Sequence, residues 1–225
     1  MGFNTSGGIF KLCEWIYRLA LLNGLAIVFS LMGLGIIGLL PSLTAMYWII
    51  RQWQNGGEPI SIIREFWSAY KRYFIKSNAL FFLFICIGLF LYIDFALVQN
   101  LDGILYYIVL GSSTTVLVIS IGVFLHMVGL LMETEARLFD QLKTAIQITA
   151  RFPFQTGWMF LSIVSFVFIC FVIPGIGFLY LGSVSTFIIV SFSKYMRNKI
   201  TSNQNMEHPH QITTLASEGG TTYAK

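Results

Sequence analysis

Charged residues are scarce in this sequence. They make up 11% of its 225 residues, whereas 56% of the residues are hydrophobic. Soluble domains carry roughly 25% charged residues, so the composition excludes an ordinary soluble domain and predicts an integral membrane protein. The lipid bilayer is therefore the first partner that we expect, and we expect no nucleic-acid partner.

The residue patterns of catalysis and metal binding are missing as well. The sequence contains no HExxH, no GxxxxGK[ST] loop, no Ser-His-Asp arrangement and no paired carboxylates within its apolar segments. Its cysteines have neither disulfide nor metal-ligand spacing, and we interpret Cys13, Cys86 and Cys170 as packing residues. We therefore expect a protein that is not an enzyme and that holds no cofactor or metal.

Long uncharged runs are what the sequence has in abundance. A membrane-spanning helix needs about 20 mostly apolar residues. The longest run can hold two spans if Pro174 and the glycines that follow it form a turn. The runs predict an all-α polytopic membrane protein with five to six membrane helices, and they cover residues 19–50, 78–100 (interrupted by Asp94), 103–132 and 157–193.

The first run allows two interpretations. In one, a helix from Glu14 to Met32 and a second from Pro41 to Trp53 form a hairpin, with the turn between Gly33 and Gly38. Pro41 would then lie in the first turn of its helix, where the missing N–H costs little. In the other, a single long helix is kinked at Pro41.

The positions of lysine and arginine favour the hairpin. With six membrane segments, every group of basic residues falls on one side of the membrane, and the Gly33–Gly38 turn falls on the other side. The positive-inside rule makes the basic side cytoplasmic. We therefore expect both termini in the cytoplasm and a second segment that is short or only partly spanning.

Two amphipathic segments lie between the predicted spans. Ser61–Ser77 and residues 135–152 each place apolar side chains at three- and four-residue steps, with basic side chains on the other face. Such helices either rest on anionic lipid or dock on another cytoplasmic protein. The residues that we expect to contact a partner or lipid are Arg51, Trp67, Tyr70, Lys71, Arg72 and Tyr73.

Small and polar residues inside the apolar runs predict two further features. Small residues around the proline allow close helix approach, and we expect packing and chain reversal at Gly38, Pro41, Ser42, Thr44 and Ala45. Polar residues within spans either join helices or line a pathway. A polar pathway, if the protein is a transporter, would be lined by Asn23, Ser112, Thr115 and His126.

The same stretches resemble a known family. Leu22-Asn23, Gly38, the run Pro41–Ala45, Arg51, Gly56-Gly57 and the segment FWSAYKRYFIKSN together resemble the YesL family of bacterial membrane proteins. Ser42 stands where that family often has alanine. The resemblance implies a multi-pass protein of the bacterial cell membrane, associated with gene clusters for carbohydrate uptake that also encode ABC importers.

We expect residues 1–200 to form a single transmembrane helical domain and residues 201–225 to form a disordered, polar cytoplasmic tail. The function that we expect is an accessory or regulatory component of a carbohydrate ABC importer, with importer subunits as partners. The alternatives are a small stand-alone transporter or channel, and a membrane sensor or scaffold.

Overall fold

The protein consists of helices throughout the part of the chain that the structure describes. This computed structural model describes the backbone of residues 8–57, 61–133 and 136–207, and the side chains of these residues apart from 8–10, 133 and 200–207. No strand occurs in these ranges, which confirms the all-α prediction. The helices are α1 (Gly8–Met32), α2 (Ile36–Gln54), α3 (Ile62–Val98), α4 (Gly103–Glu133), α5 (Leu138–Arg151), α6 (Pro153–Val172) and α7 (Pro174–Glu207).

Five helices of the described chain are long and apolar enough to cross a membrane: α1, α3, α4, α6 and α7. The protein is therefore a multi-pass membrane protein, and the lower of the two predicted span counts is the one supported. Two helices lie outside this group, α2 and α5. Of these, α2 packs against α1, α3 and α4. Its side chains fill the interior, since Ala45, Met46, Tyr47, Ile49 and Ile50 are all fully buried.

The first two helices form the predicted hairpin rather than one kinked helix. The chain reverses at Gly33–Gly35, where Leu34 and Gly35 adopt positive φ angles of 62° and 72°. The N–H of Gly35 donates to the carbonyl of Ser30 at 2.8 Å, which closes the end of α1. The arms meet closely, because a methyl group added to Gly38 would lie 2.5 Å from the Ser30 carbonyl oxygen.

The predicted start of the second helix was wrong. α2 begins at Ile36, so Pro41 lies inside the helix instead of in its first turn. Proline at this position leaves the carbonyl of Ile37 without its helical N–H partner. Hydroxyl groups bond the neighbouring backbone, with Ser42 donating to the Gly38 carbonyl at 2.7 Å and Thr44 to the Leu40 carbonyl at 2.6 Å.

The predicted helix at Ser61–Ser77 is not a separate element. It forms the first part of α3, which continues for 37 residues to Val98 without a proline. At 1.5 Å per residue, α3 is about 55 Å long. The second amphipathic segment is a separate helix, α5. Residues 58–60, which directly precede Ser61 and include Pro59, lie outside the described chain.

The apolar core joins four helices. Its buried members lie on α2, α3, α4 and α5, and they are Leu40, Leu80, Val123, Met127, Leu130, Leu131 and Ala145. The chain divides into two compact units at residues 190 and 191, within α7. α7 continues to Glu207, and residues 208–225 of the predicted tail lie outside the described chain.

Candidate functional site

The predicted packing residues of α2 lie inside the molecule. All five, namely Gly38, Pro41, Ser42, Thr44 and Ala45, are buried. The Thr44 hydroxyl lies 2.9 Å from the hydroxyl of Ser77 on α3, and both side chains are fully buried. Small side chains and hydroxyl groups let helices approach closely within a membrane. This part of the predicted site is therefore a helix-packing contact in the structure.

Asn23 joins α1 to α7 through both ends of its amide. Its Nδ2 donates to the carbonyl oxygen of Phe178 at 2.7 Å, and its Oδ1 accepts from the N–H of Gly182 at 3.1 Å. Phe178 and Gly182 are the two ends of one turn of α7. The absence of a side chain at Gly182 permits this approach, because a methyl group there would lie 2.8 Å from Asn23 Oδ1.

A cavity of about 630 Å³ opens beside this contact, between α1, α2, α6 and α7. Apart from Asn23, Ser30, Ser42 and Ser185, its lining is apolar, with Val167 on α6. The Ser185 hydroxyl donates to the Leu181 carbonyl at 2.7 Å, as Ser42 donates to its own helix. These hydroxyl hydrogens and the Asn23 amide are thus engaged by protein groups.

The four predicted pathway residues are not brought together. His126 on α4 is buried, and its Nε2 lies 3.0 Å from the Thr156 hydroxyl of α6. Thr156 donates its hydrogen to the Phe152 carbonyl, so His126 Nε2–H is the donor to Thr156. Ser112 and Thr115 are exposed on α4. Their hydroxyls bond carbonyls of the same helix, at 2.9 Å and 2.8 Å, and contribute to no buried pathway.

An aromatic cluster surrounds the predicted contact residue Tyr70. The ring of Phe29 on α1 lies 5.0 Å from Phe66, 5.5 Å from Trp67 and 5.5 Å from Tyr70. Tyr70 and Tyr73 are only 5% and 7% exposed. The expectation that both tyrosines contact an external partner was wrong, because α1 and α2 already cover this face of α3.

The remaining predicted contact residues have two different surroundings. Trp67 is 39% exposed, and Lys71 and Arg72 are exposed beside it. Lys71 Nζ lies 4.9 Å from the centre of the Trp67 ring, a cation–π contact. Arg51, by contrast, is half-buried and donates from Nη1 to the Met132 carbonyl at 3.5 Å. Met132 lies in the last turn of α4, where the helix dipole stabilises a positive charge.

The hairpin turn lies against the aromatic cluster. A methyl group added to Gly33 would lie 2.3 Å from the Tyr70 hydroxyl. Groups in contact cannot lie on opposite sides of a hydrocarbon layer about 30 Å thick. The prediction that the Gly33–Gly38 turn and the Ser61–Ser77 segment occupy opposite sides was therefore wrong. It rested on charge positions alone, which carry no information on the burial of α2.

Sequence reasoning missed two close contacts of glycine. Gly33 against Tyr70 and Gly182 against Asn23 each join helices that are distant in the chain. A glycine within an apolar run indicates that another helix approaches closely, but the sequence does not show which helix it is. Among the described residues, no group of three histidine, cysteine or acidic residues could hold a metal ion.

Comparison with known proteins finds a family match within the first three helices. The family described as Protein of unknown function, DUF624, matches residues 19–95. The chain is 38% identical to the uncharacterized protein YteU of Bacillus subtilis (strain 168) over 92 residues, which are 41% of each chain. It is 32% identical over 99 residues to the uncharacterized protein YesL of that organism, covering 44% of this chain and 47% of YesL.

A third relative extends the similarity along the chain. The uncharacterized protein YesV of Bacillus subtilis (strain 168) is 25% identical over 176 residues, which are 78% of this chain and 85% of YesV. The chain spans less than half the length of YteU and YesL in these matches. No solved structure matches it. The matches agree with the resemblance seen in the sequence: residues 19–95 are similar to the DUF624 family, and the chain is similar to YesL.

Proposed function

We propose that this protein is a non-catalytic accessory or regulatory component that acts beside a carbohydrate ABC importer. The observation that carries the proposal is the engagement of Asn23, whose amide is bonded at both ends to the backbone of α7. The most polar side chain beside the cavity of about 630 Å³ thus serves helix packing. The resemblance to the YesL family, which implies association with carbohydrate-uptake gene clusters, supports the importer as partner.

The cavity chemistry argues against a stand-alone sugar transporter. A sugar carries many hydroxyl groups, and each one that is buried without a partner costs a few kcal/mol, roughly 1–3. The cavity beside Asn23 has an apolar lining apart from that residue and three serines. The other predicted pathway residues lie on α4, two of them exposed and His126 bonded to α6.

The surface that best fits a protein partner is the outer face of α5. Gln141 and Ala145 bury one side of this helix in the core. On the other side Phe139 is 79% exposed and Ile146 is 46% exposed, with the exposed Lys143 between them. Aromatic side chains, phenylalanine included, are enriched at protein interfaces. We propose that importer subunits contact this face in a bacterial cell membrane.

Co-expression with importer subunits tests the proposal. We expect the subunits to co-purify with the intact chain, and the double variant Phe139→Ala/Ile146→Ala to retain less of them. The matched control is Leu89→Ala/Phe90→Ala, which removes two exposed apolar side chains from α3 (57% and 68% exposed). Equal loss in both variants, or no co-purification at all, would contradict the proposed association.

Reconstitution of the purified protein alone in liposomes separates the two functions. We expect no sugar flux, because the spans offer no continuous polar path among the described residues. Sugar flux that disappears with Asn23→Ala or His126→Ala would establish a transporter and reject the accessory role.

A further inference from the structure

The positions of charged residues along α3 indicate where this helix meets the membrane boundary. Lys76 and Asp94 are 18 positions apart, and no charged residue lies between them. This separation corresponds to about 27 Å along a helix, close to the roughly 30 Å thickness of the hydrocarbon layer. The part of α3 before Lys76 therefore lies at the lipid headgroups, on one side of the membrane.

The headgroup part of α3 exposes one face only. Phe66, Ala69, Tyr70 and Tyr73 are buried. The opposite face is exposed and recurs at three- and four-residue steps, as one stripe of a helix does. We call it the basic stripe: Arg64, Trp67, Lys71 and Ile75 follow these steps, and Arg72 lies next to Lys71.

The charge of this segment has one dominant sign. Residues 61–76 carry four basic residues, Arg64, Lys71, Arg72 and Lys76, against the single carboxylate of Glu65. Basic residues near a membrane surface are attracted to anionic lipids. Tryptophan is enriched at the same depth, and the Trp67 ring is 39% exposed.

A cation–π contact holds Lys71 beside Trp67 within the basic stripe. Lys71 Nζ lies 4.9 Å from the centre of the Trp67 ring, and its ammonium group keeps donors for an additional acceptor. Arg64 lies one turn before Trp67 on the same stripe. Two cations thus flank an indole ring that fits the interface, an arrangement that suits the phosphate of a lipid headgroup.

We propose that the basic stripe binds the headgroup of an anionic phospholipid, with Arg64 and Lys71 contacting the phosphate and Trp67 placed beside it. This inference goes beyond the importer association and does not depend on it. The bound lipid would fix the depth of α3 in the bilayer.

Native mass spectrometry of the full chain, in micelles with equal amounts of phosphatidylglycerol and phosphatidylcholine, tests the inference. We expect preferential retention of phosphatidylglycerol. Each basic residue near an anionic surface contributes about five-fold to binding, so Arg64→Gln/Lys71→Gln should lower the preference by about 25-fold. The charge-keeping variant Arg64→Lys/Lys71→Arg should retain it, which separates charge from folding.

Lys11→Gln/Arg137→Gln is the matched control, since it removes two exposed basic residues elsewhere in the chain. An equal loss in this control, or an unchanged preference in Arg64→Gln/Lys71→Gln, would overturn the inference. Displacement of the lipid by excess inorganic phosphate would also overturn it. If the stripe variant loses co-purified importer subunits and keeps its lipid preference, the stripe is a protein-binding face and the lipid inference fails.

Discussion

The hydroxyl groups of Thr44 and Ser77 lie 2.9 Å apart and join α2 to α3 in the interior. Thr44 donates its single hydroxyl hydrogen to the Leu40 carbonyl at 2.6 Å. Ser77 must therefore be the donor in the bond between the helices. Ala45 follows Thr44 on α2, and the core residue Leu80 lies one turn after Ser77 on α3. The bond therefore lies within the buried contact of the two helices.

Removing either hydroxyl should weaken the contact between α2 and α3. We expect Thr44→Val and Ser77→Ala each to lower the free energy of unfolding, with a coupling energy of roughly 0.6 kcal/mol and at most about 1.7 kcal/mol. A double-mutant cycle in detergent measures this coupling. Thr114→Val is the control, because the exposed Thr114 bonds a carbonyl of its own helix. Purely additive effects would show that the two hydroxyls do not interact.

Enlarging Ala45 should destabilise the protein. Ala45 is fully buried at the centre of α2, and overpacking a close contact costs roughly 1–3 kcal/mol. We expect Ala45→Leu to lower the melting temperature of the detergent-solubilised protein. Ala79→Leu makes the same change at an exposed position of α3 and should have little effect. An unchanged melting profile for Ala45→Leu would mean that this face of α2 is open to lipid.

Adding a methyl group at Gly182 should separate α1 from α7. The new carbon would lie 2.8 Å from Asn23 Oδ1, although alanine favours a helix by about 1 kcal/mol over glycine. We expect Gly182→Ala to destabilise the protein and to cost less in an Asn23→Ala background, where the clash is absent. Thermal unfolding of the two single variants and the double variant measures this.

Gly111→Ala supplies the matched control for Gly182. Nothing lies within 4 Å of a methyl group added at Gly111. We therefore expect this variant to gain up to about 1 kcal/mol from helix propensity alone. Equal gains at both glycines would contradict the close contact between Asn23 and α7.

The contact between Gly33 and Tyr70 predicts opposite effects for two substitutions. The Tyr70 hydroxyl is buried and has no hydrogen-bond partner among the described residues. Tyr70→Phe should therefore be neutral or stabilising, since it removes an unpaired polar group. Gly33→Ala should destabilise even in that background, because its methyl group would also lie 2.5 Å from the Gly38 Cα. Chemical denaturation in detergent distinguishes the two.

The helical architecture was predictable because membrane helices need long apolar runs, which the sequence displays openly. The turn at Gly33–Gly35 could also be predicted, since several glycines interrupt the first apolar run. The start of α2 could not, because proline prefers the first turn of a helix while tertiary packing continues α2 through Pro41.

Burial of the aromatic residues could not be read from periodicity. An aromatic face on an amphipathic helix fits lipid, a partner protein or another helix of the same chain equally well. Tyr70 and Tyr73 proved to face the chain's own α1 and α2, whereas Trp67 on the neighbouring side is exposed. The partner of such a face is set by contacts distant in the chain, which one sequence without its three-dimensional packing does not contain.

The uninterrupted course of α3 links bilayer thickness to the hairpin. Residues 62–98 form one helix, so the spanning part and the aromatic end tilt together. A spanning helix tilts to match its apolar length to the thickness of the membrane. Because Tyr70 near one end of this helix lies against Gly33, we expect a change in the tilt of α3 to displace the α1–α2 turn as well.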